Sequence, residues 1–417
     1  MEVRPGYKRT DVGVIPEEWD AKTLGELGEA LIGLTYKPEN VREHGTLVLR
    51  SSNIQNDALT FDDNVFVDTH IPERIKVRAG DVLVCVRNGS RDLIGKSALL
   101  DERALGMTFG AFMAVYRSPI GKLASFLFQS EILKRQINQH LGATINQITN
   151  KSLNSFRIPV PPSEAEQRAI AAALSDVDAH LEGLTRLIAK KRDLKQAAMQ
   201  QLLTGQTRLP GFCEEWGVKR LADVIHLIPS GIYGEEKPRD GLLPSLVATT
   251  AHIGEDDAWN AKRMAFRYFS EEKMQRYGTL EGDLIVVKSS GSAARIQSGK
   301  LAFVDGARAG KFLFSNFLML LRPLSMVPRF LYFYLCSFNV KKLLPTLVEA
   351  STYPNIRLDA YLAVEVPQPS LLEQFAIASV LSDMDAELSA LEARRDKTRM
   401  LKQGMMEELL TGRTRLI

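Results

Sequence analysis

Six short stretches of the sequence gather Arg, Lys, Ser, Asn and Gln beside small residues, between runs of alternating apolar residues. In the N-terminal half they are LRSSN, with Arg50, Ser52 and Asn53; VRNGSRD, with Arg87, Asn88, Ser90 and Arg91 and with Lys96 close behind; and GATINQITNKS, with Thr144, Asn146 and Gln147. In the C-terminal half they are KSSGSAARIQSGK, with Lys288, Ser289, Ser290, Ser292, Arg295 and Lys300; AGKFLFSN, with Lys311, Ser315 and Asn316; and EASTYPNIR, with Thr352, Tyr353 and Asn355. An arginine fork fits guanine O6 and N7, a carboxamide fits adenine N6 and N7, and hydroxyl, ammonium and glycine N–H groups suit phosphate oxygens. The chemistry on offer is the reading of bases. Gly, Ser and Asn also make turns in any protein, so the weight rests on the set, which recurs at parallel positions in both halves.

Covalent chemistry finds less support. GSRDLIGKS (Gly89 to Ser97) resembles a phosphate-binding loop, but five residues separate its glycines where the cradle needs four. There is no G-x-G-x-x-G, no H-E-x-x-H and no N/D-P-P-Y/F tetrapeptide of the kind that holds a target adenine in amino-methyltransferases. His44, His70, His140 and His252 are scattered and read as surface or structural residues. Cys85, Cys213 and Cys336 stand far apart, with no C-x-x-C pair and no His cluster to complete a metal site. A reducing cytoplasm is the expected location, since no apolar run is long enough to span a membrane and the polar start has no signal-peptide core. A net charge of +3 is too small to imply a polyanionic partner, so such a claim must rest on local clusters.

The elements that would position these loops are announced by a duplication. At an offset of 207, Ser163 to Leu209 aligns without a gap on Ser370 to Leu416, with 26 of 47 pairs identical. A weaker echo precedes each half, EEWDAKTL from Glu17 and EEWGVKRL from Glu214, and AGDVLVCV (Ala79 to Val86) resembles EGDLIVVK (Glu281 to Lys288). Two long units, unlike many short ones, suggest internal pseudo-twofold symmetry, one chain imitating a dimer.

Each copy of the shared segment opens on a proline-rich break followed by S-x-x-E, Ser163 to Glu166 and Ser370 to Glu373, a capping box in which both side chains would satisfy free backbone N–H groups. Ile170, Leu174, Val177, Leu181, Leu184 and Ile188 then follow 4-3 spacing, as do Ile377, Leu381, Met384, Leu388 and Leu391. The seam breaks at Lys191 and Lys195, and an apolar stripe is expected to resume through Leu194, Ala198 and Leu202, matched by Leu401, Met405 and Leu409. Gly205 and Gly412 fall at the expected C-caps, giving helices of about 40 residues or roughly 60 Å. Two such helices most simply pack on each other, antiparallel if the halves are related by a twofold. The basic runs RLIAKKRDLK and ARRDKTRMLK are either solvated faces or docking surfaces. Ser125 to Gln139 and Arg329 to Leu344 also look helical.

With PPSEAEQRAIAAALSDVDAHL and LKQAAMQQLLTGQTRL echoed by QPSLLEQFAIASVLSDMDAEL and LKQGMMEELLTGRTRL, the chain resembles the specificity subunit of type I restriction-modification systems. GVIPEEW, the GDVLV to IGKSALL stretch and T-x-x-Q-I (Thr144 to Ile148) extend the likeness over essentially the whole chain. The resemblance implies two target-recognition domains that each read half of a bipartite DNA site, held apart by an antiparallel coiled coil. It also implies no catalysis and no bound cofactor in this chain. The expected partners are double-stranded DNA, two modification subunits that use S-adenosylmethionine, and two restriction subunits that use ATP and Mg. The family resemblance leaves open whether Tyr353 and Asn355 take the places of Asn146 and Gln147.

The expected fold is α+β: two mixed, β-rich domains over residues 1–159 and 209–366, shared helices over 160–208 and 367–417 packed as an antiparallel coiled coil, and circular pseudo-twofold symmetry. Two other readings compete, a nuclease or methyltransferase with a degenerate motif and a coiled-coil adaptor that binds only protein.

Overall fold

The structure, a computed structural model, describes residues 4–141, 146–292, 295–349 and 354–416. Mixed helix and sheet form two compact units, Met1–Thr185 with Ala393–Ile417, and Arg186–Glu392. Both boundaries cut a long helix, at points 207 residues apart, so the units divide the chain differently from the sequence boundaries at 159, 208 and 366.

In the first unit β1 (Glu29–Ile32), β2 (Thr46–Leu49), β3 (Val82–Cys85), β4 (Ser97–Leu99), β5 (Thr108–Phe109) and β6 (Met113–Arg117) form the framework. An antiparallel sheet has the order β4-β3-β6-β1, and β2 pairs in parallel with β5 in a second sheet. Helix α1 (Gly121–Gln129) is buried almost throughout and is followed by α2 (Glu131–His140). Then comes α3 (Glu164–Leu202). The second unit builds the same plan from β7 (Ile225–Ile228), β8 (Leu242–Ala248), β9 (Leu284–Val287), β10 (Leu301–Phe303), β11 (Phe312–Phe314), β12 (Leu318–Pro323), α4 (Pro328–Cys336) and α5 (Leu371–Leu409). Its antiparallel sheet runs β10-β9-β12-β7, and β8 pairs in parallel with β11.

The shared Gly-Asp explains why two otherwise divergent sequences keep one phrase. Gly80 and Gly282 turn into the central strand at φ +89° and +90°, a conformation that favours glycine. Asp81 and Asp283 behind them are buried, and each takes a two-pronged arginine from the strand next door. Arg117 Nε and Nη2 lie 2.9 and 2.7 Å from Asp81, and Arg322 Nε and Nη2 lie 2.8 Å each from Asp283. The same carboxylates accept the backbone N–H of Arg78 and Leu280, closing the turn. The paired carboxylate holds each guanidinium above its ordinary pKa.

Both long helices are 39 residues, as the spacing predicts. Seam residues Ile170, Leu174, Leu184, Ile188, Ile377, Leu381 and Leu388 are buried, and Val177, Leu181, Met384 and Leu391 are half-buried. Ile170 and Leu174 join the first unit's core with Trp19, Tyr116 and Leu409; Ile377 and Leu381 join the second unit's core with Leu202, Leu221 and Phe330. The helix ends are thus core elements, which is why the units absorb them.

Two expectations are corrected and a third is refined. The capping box is half made: Ser163 and Ser370 Oγ accept from Glu166 and Glu373 N at 3.4 Å each, while the glutamates, buried, bind Arg415 and Arg208 instead. The resumed stripe does not include Leu194 or Leu401, which are exposed, because Lys195 and Lys402 turn inward on that stretch. The stretches Ser125 to Gln139 and Arg329 to Leu344 are helical, with interruptions at Ser130 and Ser337, both extended; Ser130 Oγ donates to Leu127 O at 2.7 Å, giving the backbone an alternative to the helical ladder.

The inward lysines meet the opposite helix. In the second unit Lys195 pairs with Asp385, Lys191 with Glu387 at 2.7 Å and Arg192 with Glu392, and Lys195 Nζ lies 5.6 Å from the Phe333 ring. In the first, Lys402 pairs with Asp178 at 2.7 Å and lies 5.4 Å from the Phe126 ring. Much of each basic run is therefore engaged in pairing.

Removing the buried carboxylate by Asp81→Ala should cost about 3 kcal/mol, because Arg117 is left without its partner. In urea or thermal melting of the full chain this appears as a lower midpoint, whereas Leu401→Ser at an exposed helix position should change stability by under about 0.5 kcal/mol.

Candidate nucleic-acid interface

The central strand of each sheet ends in the loop the sequence singles out, and three other segments are tied to it. In the first unit Val86 N and Arg87 N both donate to Phe112 O at 3.1 Å, Ile148 N donates to Val86 O at 2.8 Å, and Arg87 bridges Gln147. Lys96 returns alongside, its carbonyl accepting from Cys85 N at 2.8 Å. Burial pushes the Cys85 thiol up from its ordinary pKa, so it stays protonated and donates to Arg87 O at 3.6 Å. In the second unit Lys288 N and Ser289 N donate to Phe317 O at 2.9 and 3.3 Å, Ile356 N donates to Lys288 O at 3.0 Å, Ser289 bridges Asn355, and Lys300 O accepts from Val287 N at 2.7 Å.

One scaffold therefore carries two sets of side chains: Arg87 against Ser289, Gln147 against Asn355, Lys96 against Lys300, Phe112 against Phe317. Asn355 stands in register with Gln147, and Pro354 with Asn146. Thr144, Thr352 and Tyr353 lie outside the described residues, as does the side chain of Arg295.

Arg87, Ser90, Arg91, Asn146, Gln147, Ser292, Lys311 and Asn316 are exposed; Arg50, Ser52, Asn88, Lys96, Lys288, Ser289, Ser290, Lys300 and Asn355 are half-buried. Some are already committed. Arg50 pairs with Asp63 at 2.8 Å, Arg91 Nη2 donates to Asn138 O at 3.1 Å, Asn88 Oδ1 accepts from Ser90 N at 2.9 Å, and Lys300 lies 3.6 Å from Glu255. Lys311 precedes β11 while Asn316 follows it, so Lys311 stands at the far end of the strand from the constellation.

The structure takes Asn53 and Ser315 out of the exposed set. Asn53 is fully buried: its Oδ1 accepts from Arg50 N at 2.9 Å, and its Nδ2 donates to the carbonyls of Thr60 and Asp63. It shapes the Arg50 loop instead of facing a ligand. His252, buried, does the same in the second unit, accepting from Thr249 N through Nδ1 at 2.9 Å. Ser315 is buried under Asn316, with its N donating to Ala248 O.

Sequence reasoning missed Phe112 and Phe317. Both are over half exposed, at 57% and 52%, although the phenylalanine three residues before each, Phe109 or Phe314, is fully buried. The repeated F-x-x-F of FGAFM and FSNFL was the available signal. Of seven buried polar side-chain atoms without a partner among the described residues, four fall on singled-out residues: Arg50 Nε, Ser52 Oγ, Ser315 Oγ and Asn355 Oδ1. Among the described residues no group of three or more His, Cys, Asp or Glu could hold a metal ion, and no helix is long and apolar enough to cross a membrane.

A profile of the type I restriction modification DNA specificity domain matches residues 16–190 and 271–398. The chain is 25% identical over 304 residues to the type I restriction enzyme EcoKI specificity subunit of Escherichia coli K12, covering 67% of this chain and 63% of that protein's length. It is 24% identical over 311 residues to the type I restriction enzyme MjaVIII specificity subunit of Methanocaldococcus jannaschii, covering 70% of each. The fold is similar to that of a type I restriction-modification S subunit from M. genitalium, with TM-score 0.55, 15% identity and 98% of each chain covered.

Asn53→Ala should lower stability by about 2 kcal/mol, since buried N–H and C=O groups lose their partner. Arg87→Ala, at an exposed side chain, should leave the melting temperature of the full chain unchanged; the two melting curves separate a loop-shaping residue from a surface one.

Proposed function

The chain belongs to the type I restriction modification DNA specificity family, and on that premise we propose that it is a non-catalytic DNA-recognition subunit whose two units each read one half of a bipartite, asymmetric site. The observation that carries the reading is the twice-built loop constellation, whose scaffold is matched bond for bond while the side chains set on it differ. Identical side chains would suit a symmetric target; Arg87 and Gln147 against Ser289 and Asn355 suit two different half-sites.

The long helices act as the spacer. The ion pairs Lys195 with Asp385 and Lys402 with Asp178 are one pair written twice at the 207-residue offset, in keeping with an antiparallel coiled coil and a circular pseudo-twofold arrangement. Half-sites read from one side of B-DNA lie about 34 Å apart, within the roughly 60 Å of each helix. Double-stranded DNA, two modification subunits with S-adenosylmethionine and two restriction subunits with ATP and Mg are the partners, in the cytoplasm. This chain supplies sequence choice and binds none of those cofactors.

Deleting one heptad, Leu174 to His180, should change or abolish the tolerated gap while leaving half-site preferences intact; an unchanged optimum in a methylation assay over a gap-length series would rule out the spacer role. The purified chain alone should neither methylate nor cut DNA, and turnover by it with added cofactor would show an enzyme instead. Its DNA affinity should fall linearly in log–log form with salt as phosphate contacts are screened; a salt-independent or absent affinity, with partner subunits present, would fit a protein-only adaptor.

A further inference from the structure

The two constellations differ at the second residue after the central strand, where the first unit has Arg87 and the second has Ser289. Arg87 is fixed three ways. Its N–H donates to Phe112 O at 3.1 Å, its backbone bridges Gln147, and its guanidinium lies 5.0 Å from the centroid of the Phe112 ring. Stacking on an aromatic face holds the guanidinium plane while leaving its edge N–H groups outward. Arg87 and Phe112 are both exposed, and Gln147, the bridge partner of Arg87, is exposed as well.

A phosphate is met by a lysine's point charge as well as by an arginine fork, and it sets no single plane for the donor. A fork whose plane is set beforehand is what guanine O6 and N7 require. Resting on the DNA-recognition reading above, we infer that Arg87 reads a guanine in the half-site of the first unit, that Phe112 positions its guanidinium, and that the second unit reads no guanine through the matching position. There Phe317 keeps its place and exposure, but Ser289 brings only a hydroxyl and Asn355 a carboxamide.

The test uses the full chain assembled with its modification subunits, bound to a pool of random duplexes that is then sequenced. The wild type should enrich a two-part sequence with guanine at a fixed place in one part. Arg87→Lys keeps the charge and removes the fork, and should lower the preference for guanine at that place alone by roughly 5- to 150-fold. The other half-site and the salt slope should not change. Phe112→Leu should lower the same preference by roughly 2- to 5-fold, and Phe112→Tyr should restore it. Arg87→Lys with unchanged base preferences, or Arg87→Ala that weakens all sequences alike and lowers the salt slope by about one, makes Arg87 a phosphate contact and overturns the inference while DNA recognition stands. If the folded wild-type complex enriches no sequence at all, the DNA-recognition reading itself fails.

Discussion

Everything in each unit hangs on a buried glutamate at the start of a long helix. Glu166 accepts from Arg415 Nη2 at 2.8 Å, and the same arginine also binds Glu18 and lies 5.7 Å from the Trp19 ring. Glu373 accepts from Arg208 Nε and Nη2 at 2.6 and 2.7 Å and from Trp216 Nε1 at 2.9 Å, with Arg208 stacked on Trp216 at 5.2 Å. A carboxylate that is 1 to 2% exposed would be costly to bury without such partners. The clamp therefore joins three places in the chain: the start of one helix, the exit of the other, and the entrance to the globular portion. In the first unit it brings the last described residues to the first, where Tyr7 also donates to Gly412 O at 3.0 Å.

From that clamp the rest follows in order. The helix starts are fixed, so Ile170 and Leu174, or Ile377 and Leu381, enter the core beside the sheet. The sheet's central strand is set by the Gly-Asp turn and its arginine, and it delivers the loop at Arg87 or Ser289 to the same place in each unit. The side chains set on that fixed frame differ between the units, and they can do so without disturbing the core.

Much of this was legible. The 207-residue duplication, the length of both helices and the inward face of the seam all came from spacing and identity, because helical period and capping are local properties. The loops at Arg87 and Lys288 were legible because Gly, Asn and Ser cluster where a buried strand must end. The same local reasoning did not find the breaks at Ser130, where a hydroxyl competes with the helix, and Ser337, nor Glu166, whose local cap role lost to an arginine 249 residues away.

The sequence by itself determined that there are two copies of one plan, where the long helices begin and end, and which loops gather Arg, Lys, Ser, Asn and Gln at the ends of buried strands. Only the tertiary structure decided that Asn53 and His252 are the same internal brace, that Asn355 answers Gln147, and that Lys195 and Lys402 turn inward to aspartates on the opposite helix. It also brought Phe112 under Arg87. Those facts depend on sheet register and on burial between residues far apart in the chain, and neither is set by any local pattern of residue types.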